Sequence, residues 1–201
     1  MMFEYGERYY IKREKDRRHL MMAIIMDEIC CRNGLPTKSF MDVGCASGCL
    51  LHAIRKINQD AMLTGIDHGE VPRKRFMLVD DPRANFIDFD LDTVNKHTHI
   101  SKFNVVSSIE VIEHIDPKSE NGLVEFFAKA TGGLLFVSAA RVGQRGYGHV
   151  NCASRKHWID LFDVNGMEFK DTMTEECCKM MEVMRTGEPA NMMVFAPVKE
   201  S

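Results

Sequence analysis

The stretch FMDVGCASGCLL, residues 40–51, changes character abruptly in its middle. An apolar run reaches Asp42, gives way to small residues between Gly44 and Gly48, and becomes apolar again at once. Glycine permits backbone conformations and close approaches that a side chain forbids. A strand that ends in such a turn and leads into a helix presents free helix N–H groups to an anionic ligand group. The stretch therefore predicts either a ligand-binding strand–turn–helix or a plain glycine-rich connection.

Short apolar strands alternate with helical stretches from residue 39 to residue 140. Alternation of this kind predicts an α/β fold with a doubly wound, mostly parallel sheet. Two later strands close to each other in the sequence can pair antiparallel at the sheet edge, which gives seven strands. The predicted strands are 39–43, 62–66, 84–89, 104–109, 133–139, 168–172 and 191–198, and the predicted helices are 13–33, 49–58, 123–130, 155–162 and 175–185.

The chain shows no internal repeat, low-complexity tract or linker, and its 201 residues suit one hydrophobic core. We therefore predict a single domain over residues 1–201. Residues 1–37 form an N-terminal helical cap, whose helix ends at Asn33-Gly34 and Pro36. Residues 38–201 form the core, and ligands of such sheets bind at the carboxyl ends of the strands.

The spacing of the glycines separates two kinds of nucleotide site. A dinucleotide fingerprint has the form G-x-G-x-x-G, whereas this turn reads Gly44-x-Ala46-x-Gly48 and continues without a third glycine. An acidic residue followed by this spacing resembles the first motif of the class I S-adenosylmethionine-dependent methyltransferases, a Rossmann-like family. The resemblance implies that Asp42 and the turn, including Cys45, hold the methionine part of that cofactor. Ala46 replaces the middle glycine and is expected to narrow the space for it.

Three further motifs follow in the order expected for that family. In LTGIDHG, the resemblance implies that Asp67, followed by His68, hydrogen-bonds the ribose hydroxyls. In NFIDFDLD, it implies that an acid faces the adenine amino group; Asp90 fits best and Asp88 is the alternative. FNVVSSIEVIEHID resembles the fourth-strand motif of ubiquinone-biosynthesis O-methyltransferases and of uncharacterised bacterial and phage methyltransferases. It implies that Ile109 and the residue after it lie under the cofactor.

Methyl transfer from a sulfonium requires alignment and a group that removes a proton from the acceptor. The candidates are Glu110, His114 and His149, the last in a glycine-rich loop after the fifth strand. Alternatively, Glu110, Glu113, His114 and His149 could ligate a metal, because related E-x-x-E-H segments do so. We favour the interpretation without a metal. Tyr5, Tyr9 and Tyr10 begin a leader that either folds over the site or forms a surface helix.

The composition of the chain indicates which partners to expect but does not identify the reaction. The net charge of −3 gives no signal for a polyanion, so nucleic acid is not favoured as a partner. No apolar stretch is long enough for a membrane, and seven cysteines without CxxC spacing predict reduced thiols in a cytoplasmic protein. We predict a methyltransferase for an O or N atom of a small-molecule or glycan acceptor. The alternatives are a metal-assisted RNA 2′-O-methyltransferase and a non-catalytic cofactor-binding domain.

Overall fold

The computed structural model describes residues 6–95 and 97–198 of the chain. Its strands are β1 Ser39–Val43, β2 Met62–Asp67, β3 Ala84–Asp88, β4 Phe103–Ile109, β5 Thr131–Ser138, β6 Met167–Phe169 and β7 Met192–Pro197. They form one sheet in the order β3-β2-β1-β4-β5-β7-β6. All neighbours from β3 to β5 run parallel, and β7 runs antiparallel to both β5 and β6. The predicted doubly wound, mostly parallel α/β sheet is confirmed, with its antiparallel pairs at one edge.

Helices cover both faces of this sheet because successive strand residues point to opposite sides. The helices are α1 Glu7–Glu14, α2 Arg18–Arg32, α3 Cys49–Ile57, α4 Glu70–Lys74, α5 Glu120–Ala130, α6 Arg155–Asp163 and α7 Asp171–Met184. Phe40 and Leu63 join the core under α2, α3 and α7, whereas Met41 and Ile66 join the core under α5 and α6. No helix in the described part of the chain is long and apolar enough to cross a membrane.

The N-terminal cap contains two helices instead of the single helix predicted over 13–33. The chain leaves α1 at Lys15, and the carboxylate of Asp16 accepts a hydrogen bond from the backbone N–H of Arg18 at 2.9 Å. The same carboxylate pairs with the Arg18 guanidinium at 2.6 Å. Asp16 therefore begins a new helix, because it satisfies an N–H that has no partner inside α2. The predicted end of the helix, at Asn33 and Gly34, is correct.

The C-terminal elements also differ from the prediction in their bounds. The predicted strand 168–172 ends at Phe169, and α7 begins at Asp171 instead of near 175. Thr174 is buried, and its hydroxyl oxygen accepts a hydrogen bond from Val194 N at 2.9 Å. This contact ties the first turn of α7 to β7, so tertiary packing overrides the low helix propensity of threonine.

The strand order of the sheet reverses at one point, between β1 and β4. The chain winds outward from β1 in one direction and from β4 in the other, and β1 and β4 are neighbours. Connections after these two strands diverge to opposite faces, which leaves a crevice at their carboxyl ends. The turn after β1 and the residues after Ile109 meet at this crevice.

Candidate functional site

The turn after β1 requires glycine at two positions for reasons internal to the fold. Gly44 and Gly48 both have a φ of +77°, in the left-handed region that favours glycine. A Cβ at Gly44 would overlap the side chain of Val111, and a Cβ at Gly48 would lie 2.7 Å from the ring of Phe76. The backbone of the turn therefore lies against its neighbours at both glycines, and Gly44 also lines the two cavities described below.

Ala46 occupies the same turn in a conformation that is unusual for a residue with a side chain. Its φ is +51°, and its N–H donates to Oδ2 of Asp67 at 2.7 Å. The other carboxylate oxygen of Asp67 accepts a hydrogen bond from the N–H of His68 at 2.7 Å. Asp67 thus fixes the turn after β1 to the end of β2, and burial raises the pKa of this carboxyl group.

Asp42 lies at the floor of the crevice. Its side chain is 5% exposed, and its Oδ1 accepts a hydrogen bond from the Ser107 hydroxyl at 2.7 Å. Burial raises the pKa of Asp42 to about 7, although the Ser107 hydrogen bond acts in the opposite direction. Ionising this buried carboxyl group therefore costs free energy. A cationic ligand group nearby would offset that cost.

Two cavities open on this turn. The first, which we call the inner cavity, has a volume of about 150 Å³ and is lined by Asp42, Cys45 and Cys49. Arg13 and His19, from α1 and α2, form its other wall. The Nε2 atom of His19 is buried and has no hydrogen-bond partner among the described residues. Burial lowers the pKa of His19 to about 4, so its ring is neutral at physiological pH.

The second, which we call the outer cavity, has a volume of about 330 Å³. Asp67 and His68 lie at one end, and Phe89, Leu91 and Ile115 form an apolar wall. The two cavities share a boundary, so a bent ligand can extend from one into the other. The residues that line both are Arg13, Gly44, Ala46, Ile109 and Glu110.

Helix α1 lies over the outer cavity. Tyr9, Tyr10 and Arg13 line it, and the Arg13 guanidinium donates to the Tyr9 hydroxyl at 2.7 Å. Glu14 at the end of α1 forms a two-point ion pair with Arg75, with N–O distances of 2.6 and 2.8 Å. The described part of the leader thus folds over the site, as one of the two sequence interpretations expected, and Tyr5 lies outside the described residues.

Glu110 stands where the two cavities meet. Its φ is +56°, a strained conformation for a residue other than glycine. Its Oε1 accepts hydrogen bonds from the Ser138 hydroxyl at 2.8 Å and from the Asn191 amide at 3.2 Å. The end of β4, strand β5 and the segment before β7 therefore all contribute to the position of this carboxylate.

Glu113 is a buried acid directly behind this point. Its side chain is 0% exposed, and neither carboxylate oxygen has a hydrogen-bond partner among the described residues. Burial, followed by the charge of Glu110, raises the pKa of Glu113 to about 8. The group is therefore a neutral acid at physiological pH in the protein alone.

The two histidines predicted for catalysis have different positions. His114 lines the outer cavity, and its Nδ1 donates to the carbonyl of Gly148 at 3.0 Å, which makes Nε2 the basic nitrogen. Burial lowers the pKa of His114. His149 lies beside it, with ring centroids 5.0 Å apart, but is not among the residues that line either cavity. Glu113, His114 and His149 each offer one ligand atom, and these three atoms lie within 4.8 Å of one another.

The acids after β3 make local contacts. Asp88 accepts a hydrogen bond from Gly69 N at 3.2 Å and lies 3.1 Å from the Nδ1 of His68. Asp90 accepts a hydrogen bond from Asp92 N at 2.9 Å. Neither is among the residues that line the outer cavity, whereas Phe89 and Leu91 are. The assignment of Asp90 to an adenine amino group stays a prediction.

No family model matches the chain. Its sequence is 34% identical over 116 residues to the ubiquinone biosynthesis O-methyltransferase of Histophilus somni, which covers 54% of this chain and 48% of that protein. The corresponding Escherichia coli enzyme is 30% identical over 114 residues, with coverages of 55% and 47%. The chain thus spans about half the length of the curated relatives it matches.

Solved structures agree on the fold. The CcbJ methyltransferase of Streptomyces caelestis has a TM-score of 0.66 at 8% identity, with 92% of this chain and 91% of that chain covered. The O-methyltransferase NcsB1 from neocarzinostatin biosynthesis, in complex with S-adenosylmethionine and 2-hydroxy-5-methyl naphthoic acid, has a TM-score of 0.58 at 16% identity. The match covers 81% of this chain and 49% of NcsB1. These identities show a shared fold, and the sequence relatives agree with the resemblance found in the motifs.

Proposed function

We propose that this chain, a class I methyltransferase by fold and a sequence relative of O-methyltransferases, transfers a methyl group from S-adenosylmethionine to an O or N atom of a small-molecule or glycan acceptor. The observation that supports this most strongly is the pair of cavities that meet at Glu110. Their common boundary lies at the switch point of the sheet, where ligands of such folds bind.

The inner cavity suits the methionine part of this cofactor. An α-amino acid presents one ammonium and one carboxylate group. Asp42 offers a carboxyl group and His19 an unpartnered Nε2 to the ammonium, and Arg13 offers a cation to the carboxylate. The cofactor fits, because these buried polar atoms gain partners that the described protein residues do not supply.

The outer cavity suits an adenosine. Each oxygen of Asp67 accepts one backbone hydrogen bond and keeps capacity for another, so the carboxylate can accept from both ribose hydroxyls. Phe89, Leu91 and Ile115 offer apolar surface to a base. The sulfonium group then belongs at the common boundary, beside Glu110.

When bound, S-adenosylmethionine supplies an activated methyl group, so this chain must position the acceptor and take its proton. His114 is the best placed base, because it lines the cavity, is neutral at physiological pH and has Nδ1 engaged with Gly148. Glu110 is the second candidate for the base, and its carboxylate also lies near the expected position of the sulfonium group. In this arrangement, the His149 ring packs against the His114 ring and helps to position it.

A metal-assisted form of the same reaction has one observation in its favour. Glu113, His114 and His149 approach one another closely enough to share a divalent ion, and the oxygens of Glu113 have no hydrogen-bond partner among the described residues. A bound ion would keep Glu113 ionised, whereas without one its high pKa keeps it neutral. We retain the metal-independent reaction, and chelation separates the two.

The acceptor class and location of the protein are part of the proposal. The complex of NcsB1 holds a small aromatic acid, and nothing in the net charge of −3 favours nucleic acid. All seven cysteines are free, as a reducing cytoplasm would keep them.

The variant Asp67→Ala tests the cofactor assignment. It removes a carboxylate that accepts two ribose hydrogen bonds, so the affinity for S-adenosylhomocysteine should fall by about 2–4 kcal/mol. Asp60→Ala is the matched control, because Asp60 is exposed and pairs with Arg83 on the surface. Calorimetry on both variants, with melting temperatures to confirm folding, gives the comparison. Unchanged affinity in a folded Asp67→Ala protein would contradict the proposal.

A further inference from the structure

A third cavity lies on the other side of Glu110 from the cofactor cavities. It has a volume of about 720 Å³ and is open to solvent, between the loop after β5 and the segment that precedes β7. Asn191 forms part of its wall, is 3% exposed, and donates its side-chain amide to Glu110. A molecule in this cavity is therefore one side chain away from the point where the cofactor cavities meet.

The cavity is positively charged. Arg141 and Arg155 line it, and neither forms an ion pair with a carboxylate in the described part of the chain. Glu188 is the acid on the opposite wall. It also faces Arg18, whose pKa is raised mainly by the hydrogen bond to Asp16 and to a smaller extent by the charge of Glu188. Residues 139–155 include three arginines and no acid.

The two guanidinium groups differ in how they are held. Arg155 donates through Nη2 to the carbonyls of Ala190 at 3.0 Å and Met192 at 3.1 Å, which fixes its position. A guanidinium has five N–H donors. The Arg155 guanidinium also forms a hydrogen bond with the Cys178 side chain, and its remaining donors can bind a ligand. Arg141 is exposed, and its backbone N–H donates to Gln144 Oε1, which leaves its side chain to reach a ligand from the rim.

We infer that this cavity is the acceptor subsite and that the acceptor carries a carboxylate group bound by Arg141 and Arg155. The planar fork of a guanidinium matches the two oxygens of a carboxylate. The acceptor then extends past Asn191, so that its hydroxyl or amine reaches Glu110 at the common boundary of the cofactor cavities and His114 on the outer one. The inference rests on the proposed function, since it assigns the substrate class of the same site.

Two probes of equal shape test the inference: 3-hydroxybenzoate and its neutral isostere 3-hydroxybenzamide. Their binding to the protein saturated with S-adenosylhomocysteine is measured by nuclear magnetic resonance titration at low salt. We expect the benzoate to bind about tenfold more tightly, the value of one charge-assisted contact. Arg141→Ala should weaken this preference severalfold, because it removes one of the two cations without breaking a hydrogen bond of the fold.

Arg145→Ala is the matched control, since Arg145 lies in the same loop but does not line the cavity. It changes the net charge equally and should keep the preference. Equal affinities for the two probes, no binding of either, or equal losses in both variants would overturn the inference. If S-adenosylhomocysteine binds in those cases, the proposed function stands. If it does not bind, the proposed function fails, and the two probes still show whether the cavity selects an anion.

Discussion

Replacing Asp42 by asparagine should change how the stability of the protein depends on pH. The pKa of Asp42 is about 7 in the folded protein against 3.8 in an ordinary aspartate. Between these two values the folded state holds a proton that the unfolded state has released, so the free energy of unfolding falls as pH rises. Each pKa unit corresponds to about 1.4 kcal/mol, which gives a total of about 4 kcal/mol above pH 7. The amide of the Asp42→Asn variant cannot ionise and avoids this cost.

Urea denaturation at pH 5 and pH 8 measures the effect. The free energy of unfolding of Asp42→Asn, relative to the wild type, should increase by about 3 kcal/mol between these pH values. The carboxyl groups of Glu113 and Asp67 titrate in both proteins and largely cancel in the difference. Asp60→Asn, at an exposed acid, is the control and should show no such trend. A difference for Asp42→Asn that stays constant within about 0.5 kcal/mol would refute the burial argument.

Three further changes test other parts of the site. Ala46→Gly should raise the free energy of unfolding by about 0.5–1 kcal/mol in thermal or urea unfolding, because the residue has a positive φ; a loss of stability would contradict this. His114→Ala should lower kcat by roughly 10²-fold or more while affinity for S-adenosylhomocysteine stays unchanged, and His149→Ala should cost less; the reverse order would make His149 the base, as the sequence alone suggested. A chelator should leave turnover unchanged; a loss that Mg²⁺ or Mn²⁺ restores would instead assign Glu113 and both histidines to a metal.

The sequence predicts those parts of the fold that depend on local patterns. Strand β1 matches its predicted bounds, and Gly48 precedes α3, because apolar periodicity and glycine act over a few residues. The end of α2 follows from Asn33-Gly34 for the same reason. The start of α2 does not follow from a local pattern, because it depends on the hydrogen bond from Arg18 N to the Asp16 side chain.

The sequence predicts site residues most directly where they lie at the end of a strand. Asp67 and Glu110 lie at the ends of β2 and β4, and their assignment to the crevice needs no long-range information. Arg13 and His19 line the inner cavity from the N-terminal helices, and no spacing relates them to the turn after β1. The aromatic leader was the one sequence feature that indicated a contribution of the N-terminal helices to the site.

The resemblance predicts that the methyl group of Ala46 narrows the space for a ligand, and Ala46 lines both cofactor cavities. The structure adds that this residue has a left-handed backbone conformation held by Asp67. The consequence of this substitution is therefore strain in the turn, which a sequence motif does not reveal.

Calorimetric titration of the protein with S-adenosylhomocysteine, and separately with NAD, shows whether the two cavities together hold S-adenosylmethionine. The two ligands share an adenosine, so a site for adenosine alone would bind both. We predict micromolar affinity for S-adenosylhomocysteine, on the order of −8 kcal/mol, and no competition by NAD. The reason is that the inner cavity, with Asp42, Arg13 and His19, suits an amino acid. The glycine turn beside it lacks the third glycine of a dinucleotide fingerprint. Tighter binding of NAD than of S-adenosylhomocysteine would exclude this assignment of the two cavities.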